Sequence, residues 1–512
     1  MPDQYDVIVV GAGGSGLAAG ISTAQNGGRV LVLERQPQPG GTTGIAVGSL
    51  TAAGTSLQRD ASIDDDVASH AEDASKFAPP SIEARNNDAM RRYFLSEAAT
   101  TFQWMCDLGL SFVGPSPEPP NRVPRMHNVV PGAKAYIATM QMELSRLGGT
   151  LLCRAGVDRL LQRSGRVAGV EATVDGAPTE LWATRGVILA AGDYANHSDT
   201  IAQHKGSQFS AIEGINPFSL GDGHRLAQSV GAELRNMDVT YGPELRFVPS
   251  SRRPFQQWLP TRGVLARIVG AMARRLPGWA MRRFIKRLLV TWQHPETAMF
   301  DDGAILLNQD GARFVDETRW PEREIAVADQ PDKVAYMLLD ERLIRRYSAW
   351  PHFISTAPDI AYAYAQDYRR LRPDVTAAGV DLSSLLAARG LDPERASQEV
   401  ASFNRFAAEY RSDEFGRVVN CDPLVGGSWM LLGPLKAYFT TTEGGAMVDL
   451  NLHVLDQNGA VIPGLFAVGQ NGLSGMILWG HGLHIAWALT SGRLAGEAIM
   501  REKRDQRANE PV

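Results

Sequence analysis

A chain of 512 residues with 44% hydrophobic and 21% charged residues is long enough for two or three domains and has the composition of a globular protein. Its formal charge of −5 is small for that length and speaks against nucleic acid as the main partner, because phosphate binding needs a basic footprint. Three cysteines, Cys106, Cys153 and Cys421, stand far apart with no CxxC or CxxCH, so no disulfide framework, zinc site or c-type haem is indicated, and a reducing cytoplasm fits best.

The first element begins almost at once. "YDVIVVGAGGSG" leaves no room for the charged and apolar regions of a signal peptide. No apolar run anywhere reaches the roughly 18–20 residues of a membrane-spanning helix. Val7 to Val10 read as a strand covered on both faces. Gly11, Gly13 and Gly16, with Gly14 and Ser15 between them, fill the GxGxxG spacing: a tight turn, room for a pyrophosphate, then close helix packing. The diphosphate would rest on the helix N-terminus, where free N–H groups and the dipole favour anions. A second strand ends at Glu34, where a carboxylate is expected to grip ribose hydroxyls, and Arg35 follows. The small-residue stretch "QPQPGGTTGIAVGSL" then offers Gly41, Thr42, Thr43, Ala46 and Gly48 as a loop passing close beneath a flat ring system.

With that stretch the chain resembles the flavoprotein family of fumarate reductases, succinate dehydrogenase flavoprotein subunits and 3-ketosteroid dehydrogenases. Four further segments carry the resemblance: "GVILAAGDYANH", "SLGDGHRLAQSVGAEL", "GAILLNQDGARFVDE" and "GGAMVDLNLHVLDQNGAVIPGLFAVGQ". It implies an α/β fold: a discontinuous, Rossmann-like FAD-binding domain with an inserted α+β catalytic or cap domain. The expected pieces are residues 1–238, the insertion 239–439, and a returning flavin segment 440–512. It also adds Val157, Ala191, Gly192, Asp222, Gly469, Gln470 and Leu483 to the expected FAD contacts. Covalently flavinylated members carry a histidine after the second strand; Gly40 to Leu57 has none and Thr42 stands near that place, so FAD is expected to be noncovalent. With no second GxGxxG, electrons should pass to an external acceptor: a quinone, an electron-transfer protein or O2.

Within the insertion, Ser251 to Val290 holds ten arginines and lysines and no acid. Val264, Leu265, Ile268, Val269, Met272 and Leu276 recur at helical spacing, Pro277–Gly278 breaks it, and Trp279, Met281, Phe284, Ile285, Leu288 and Leu289 resume it. This reads either as a pair of cap helices packed on the core or as a peripheral membrane or partner surface at residues 251–290.

The chemistry is read from three positions where, by the resemblance, fumarate reductases hold cationic anchors for a dicarboxylate. Here they are Gly242, Thr441 and Trp479, which implies a more apolar pocket. "TEGGAMVD" and "LWGHGLHIA" are more similar to the steroid-dehydrogenase branch, in which a glycine N–H at the helix start polarises a ketone; Gly482 takes that place. Such a donor is worth about 3–4 kcal/mol when charge develops on oxygen. The implied reaction is α,β-dehydrogenation of a cyclic ketone, a 3-ketosteroid or a smaller alicyclic ring. A base removes the α-proton, contributing about 10²–10⁴-fold, and the β-hydrogen leaves as hydride to flavin N5. Tyr241 is the preferred base and Tyr136 the reserve, although either reads more readily as a half-buried packing residue with a satisfied hydroxyl. His481 is expected to bond the ketone or stabilise reduced flavin, His484 to cap or pack, and Trp479 to lie against a ring. Two alternatives stand beside this: a reductase of an activated C=C bond, with Arg323 as proton donor, and a flavoprotein subunit of a larger electron-transfer complex.

Overall fold

A computed structural model of the chain describes residues 5–250, 294–357 and 360–502, with scattered positions among 259–291. Strand β1 (Tyr5–Val10), helix α1 (Gly14–Gln25) and strand β2 (Val30–Glu34) form as the turn chemistry predicts. β1 lies parallel between β2 and the strand Ala177–Leu189, in register Val9↔Val32 and Val9↔Ile188. Val461–Ala467 adds to the far side of Ala177–Leu189, so the last part of the chain completes the sheet begun by the first. β1, β2 and the ends Val187–Leu189 and Leu465–Ala467 that pair with one another are buried apolar runs rather than alternating ones. The terminal helix Leu483–Arg501 packs along α1 and starts beside the same end of the sheet.

A second apolar core surrounds a six-stranded sheet whose central strand, Trp429–Phe439, pairs with Glu244–Phe247, Ala335–Leu339 and Thr376–Gly379. Tyr194, Ala195, Ile201 and Ile212 pack into this core, although they precede the predicted insertion point at residue 239. A short ladder, Thr240↔Thr442 and Tyr241↔Thr441, forms where the chain crosses from one core to the other and back.

The reading of Ser251 to Val290 falls mostly outside the described residues. At its described edges, Ile268 and Met272 are exposed, Leu289 and Val290 are buried, and Lys286 pairs with Asp367 at 2.9 Å. Arg372 donates to both Val248 O and Val290 O at 2.8 Å, which ties these two described residues to one side chain. Among the described residues, no helix is long and apolar enough to cross a membrane, and no group of three or more His, Cys, Asp and Glu is placed to hold a metal.

Candidate active site

At the nucleotide end, Gly13 precedes α1 without a side-chain cap, leaving the first-turn N–H groups of Gly14, Ser15 and Gly16 for an anion. A Cβ on Gly16 would stand 1.8 Å from Gly11 O, which is why this position holds glycine. Glu34 accepts from Ala12 N at 2.9 Å and from Gln36 N at 2.8 Å, so it braces the glycine turn as well. A carboxylate has about four lone-pair sites, which leaves capacity for ribose hydroxyls. Gly41–Ile45 is one turn of helix rather than the expected loop, with Thr43 buried. Asn216 Nδ2 donates to Thr42 Oγ1 at 3.0 Å, and Thr43 Oγ1 lies where a Cβ on Gly14 would be. Ala46 follows as the end of that turn, and Gly48 O accepts from Val129 N at 3.2 Å.

The remaining expected FAD contacts gather around the same groove. Val157 is buried, and Arg35 pairs with Asp222 at 2.8 Å. Asn471, unremarked in the sequence, fixes the turn at Ala191–Gly192 by accepting from Ala191 N at 2.6 Å and donating to Gly192 O at 2.9 Å. Gly469 N donates to Ser491 Oγ, and Gln470 Nε2 to Thr441 Oγ1 and Thr442 O. Leu483 opens the terminal helix and is buried. An uncapped helix end, a carboxylate closing the second strand and a small-residue segment folded over both fit a dinucleotide.

Beyond the cradle, Tyr241 and Trp479 stack with ring centroids 5.4 Å apart and planes 15° from parallel. Trp479 backs onto Val239, Ile477 and Ala78, which fixes this flat wall. Two residues on, His481 Nδ1 lies 2.5 Å from Glu118 Oε1, and His481 N donates to the same oxygen at 2.8 Å. Glu118 is buried while the His481 side chain keeps 54% exposure, so the imidazole faces open volume with Nδ1 already taken. Burial alone would lower its pKa, but the hydrogen bond and charge of Glu118 outweigh that and hold it above the ordinary histidine value. Thr51 Oγ1 donates to His481 O at 2.6 Å, and Gly482 follows at φ +83°, where a Cβ would meet Thr51 Oγ1 at 2.8 Å.

His484 Nδ1 lies 3.2 Å from Gln470 Oε1, and its Nε2 lies 3.1 Å from Oε1 of the fully buried Glu443. Glu443 Oε2 accepts from Leu478 N at 3.2 Å. Thr441, at one of the positions where cations were expected to be replaced, donates to Asp193 Oδ2 at 2.9 Å. Glu244 pairs with Arg246 at 2.8 Å, and Gly242 links it to Tyr241. Burial first, then the charges of Glu244 and Glu118, push the Tyr241 phenol well up, so it stays protonated.

The structure therefore brings Tyr241, Trp479, His481 and Gly482 together, with Glu118 and Glu443 as partners that the sequence did not single out. Two other candidates are buried. Arg323 is buried over the Phe300 ring at 4.6 Å, bonded to Glu324 Oε1 at 2.6 Å and Glu317 O at 2.9 Å, and Glu324 in turn feels the charge of Glu244. Tyr136 is wholly buried, with its hydroxyl donating to Gly48 O at 3.2 Å; it anchors the Gly44–Gly48 stretch and has no opening to a substrate. The reserve-base role is withdrawn on that ground.

A Rossmann-like sheet interrupted by a second core, with a glycine cradle and an aromatic wall at the start of the terminal helix, defines a flavin-binding oxidoreductase architecture. The chain belongs to the FAD binding domain family, which matches residues 6–479. It is 25% identical over 504 residues to the fumarate reductase (cytochrome) of Shewanella frigidimarina, covering 97% of this chain and 77% of that protein. It is 26% identical over 525 residues to the vinyl phenol reductase of Lactiplantibacillus plantarum, covering 96% of each. In fold it is similar to the open conformation of a flavocytochrome c3 fumarate reductase, with TM-score 0.72 and 21% identity over 98% of this chain and 78% of that one. It is also similar to the 3-ketosteroid-Δ4-(5α)-dehydrogenase of Rhodococcus jostii RHA1, with TM-score 0.59 and 22% identity over 98% of both. The fold is thus shared by a fumarate reductase, at the higher TM-score, and a steroid dehydrogenase, so it does not bear out the expected lean toward the steroid-dehydrogenase branch, and these sequence relatives are reductases.

Proposed function

We propose that this FAD-dependent oxidoreductase of CH–CH and C=C bonds works as a reductase, saturating an activated double bond in a flat, ring-bearing substrate, with FAD held noncovalently. The observation that carries this reading is the His481–Glu118 pair beside the Tyr241–Trp479 wall. Reduction needs a proton for one carbon, and an imidazolium held by a buried carboxylate keeps its proton to higher pH than a free imidazole does. Dehydrogenation instead asks Tyr241 to accept a proton, and burial among carboxylates opposes the phenolate. The names of the reductase relatives support the same direction.

Bound FAD supplies hydride chemistry at N5. The chain's own residues do the rest. Tyr241 and Trp479 align a planar substrate, and the start of the terminal helix at Gly482 favours the oxygen of an activating carbonyl. His481, with Nδ1 held by Glu118, presents a proton at Nε2. The absence of histidine from Gly40 to Leu57 supports noncovalent cofactor, and the single glycine fingerprint supports an external electron donor. The test is to reduce the purified protein anaerobically with dithionite and add conjugated ketones and aryl alkenes. Reoxidation of the flavin with formation of the saturated product is expected. Bleaching of oxidised flavin by a saturated cyclic ketone, with no reoxidation by any alkene, would reverse the direction. Acid precipitation should release the flavin into the supernatant.

A further inference from the structure

His481 is held from two sides, and both supports come from one short stretch of chain. Glu118 takes His481 N and Nδ1. On the other side Thr51 Oγ1 donates to His481 O at 2.6 Å, and Thr51 pairs with Met126 where the strands Ser49–Thr51 and Met126–Val130 run antiparallel. Residues 118–126 therefore carry the carboxylate of the imidazole at one end and its backbone support at the other. Arg125 directly precedes Met126, and its side chain is wholly buried.

The Arg125 guanidinium ties that stretch to the helix Val67–Ala74 and the loop before it. Nε and Nη2 donate to the two oxygens of Asp65 at 2.8 and 2.7 Å, and Nη1 donates to Asp73 Oδ2 at 2.6 Å. Nη1 also donates to Asn121 Oδ1 at 2.9 Å, and Asn121 N donates to Glu118 O at 2.9 Å, which closes the turn Glu118–Asn121. The path from the ion cluster to the carboxylate that meets His481 thus runs Arg125, Asn121, Glu118. Asp65 and Asp73 are buried with the guanidinium. A buried ion cluster gives little net stability over apolar packing, because desolvation offsets the attraction; what it fixes is geometry. A planar fork with donors on three nitrogens reaches Asp65, Asp73 and Asn121 at once, which the compact ammonium of a lysine does not.

We propose that Arg125, clamped between Asp65 and Asp73, is a positioning residue for the His481–Glu118 pair, acting through Asn121 and the turn Glu118–Asn121. It acts by geometry: the charges that bear most strongly on His481 are those of Glu118, Glu244 and Arg246. With the turn held, Glu118 keeps both of its hydrogen bonds to His481, and the imidazolium persists to higher pH. The consequence for proton delivery rests on the reductive reading above; the consequence for the titration of His481 does not.

The test follows His481 directly. Holoenzyme labelled at histidine Cε1 is titrated by NMR, with the His481 signal assigned by its loss in His481→Gln, and the pH–rate profile of alkene reduction is recorded beside it. Arg125→Lys keeps the positive charge and Asn121→Ala keeps the ion cluster, so each breaks the path without changing the charge around the imidazole. Lys76→Met, which removes an exposed partner of Asp73 at 2.7 Å, is the control. Both path variants should move the His481 midpoint to lower pH, with flavin content unchanged and the low-pH rate retained. Above the limb of the profile their rate should fall by about 10-fold, as expected when a hydrogen bond to a charged group is loosened. Lys76→Met should leave the midpoint in place. If Arg125→Lys does not fold, Asn121→Ala carries the test alone. An unmoved midpoint in Asn121→Ala, even with a lower unfolding temperature, would make the cluster structural only and overturn the proposal, as would an equal shift in Lys76→Met. A shifted midpoint in a protein that reduces no alkene would uphold the positioning role and remove the reductive reading.

Discussion

At the nucleotide cradle the chain works with backbone: an uncapped helix end, a glycine that touches the preceding turn and a carboxylate that braces it. At the substrate wall it works with side chains: two stacked rings, an imidazole on a buried carboxylate, and a second carboxylate beneath. The difference teaches which changes each end tolerates. Backbone geometry fails outright when a methyl group is added, whereas a side-chain site loses one function at a time and leaves its neighbours standing.

The largest expected effect breaks the cradle. Gly16→Ala places a methyl group against Gly11 O. Overpacking of this kind costs about 3 kcal/mol, and the purified variant should carry little or no flavin by its visible-to-ultraviolet absorbance ratio. Full flavin content would show that the helix shifts freely. Next comes the wall. His481→Gln should keep its flavin and lower the rate of alkene reduction by about 10²–10³-fold; an unchanged rate would move the proton donor elsewhere.

Glu118→Gln sharpens the comparison through pH. In the unaltered protein the His481 pKa is raised, so activity that needs the imidazolium is full at low pH and lost as pH rises through that raised value. Glu118→Gln removes the hydrogen bond and charge that raise the His481 pKa, so the loss of activity should move to lower pH in a pH–rate profile. A profile that stays in place would mean that another group titrates. The smallest effect is expected from Tyr136→Phe, which removes only the hydrogen bond to Gly48 O. Thermal unfolding should report about 1 kcal/mol, with the chemistry unchanged. A large fall in rate would restore Tyr136 as a proton-transfer residue.

The contrast between the two ends also explains what was legible. β1, the glycine turn, α1 and β2 follow one another within residues 5–34, and each depends on local rules of turn, cap and strand. Glu118 was invisible because nothing near residue 118 marks it; its partner lies 363 residues away in the chain. Glu443 was passed over as part of a flavin segment, and only its burial beneath Leu478 and His484 gives it meaning. Arg323 was aligned by a motif, and its contacts with Glu324 and the Phe300 ring were equally out of reach of the sequence. Tyr241 was chosen for its place in the chain, but the direction of its proton affinity depends on three carboxylates brought beside it.

By itself, then, the sequence determined the dinucleotide cradle, which follows from short-range backbone constraints and apolar runs, while the discontinuous domain and the terminal helix entry were implied by the family resemblance. Only the tertiary structure decided the electrostatics of the wall. A pKa depends on neighbours in space, and residues 118, 241, 443 and 481 become neighbours only when the two cores close on one another.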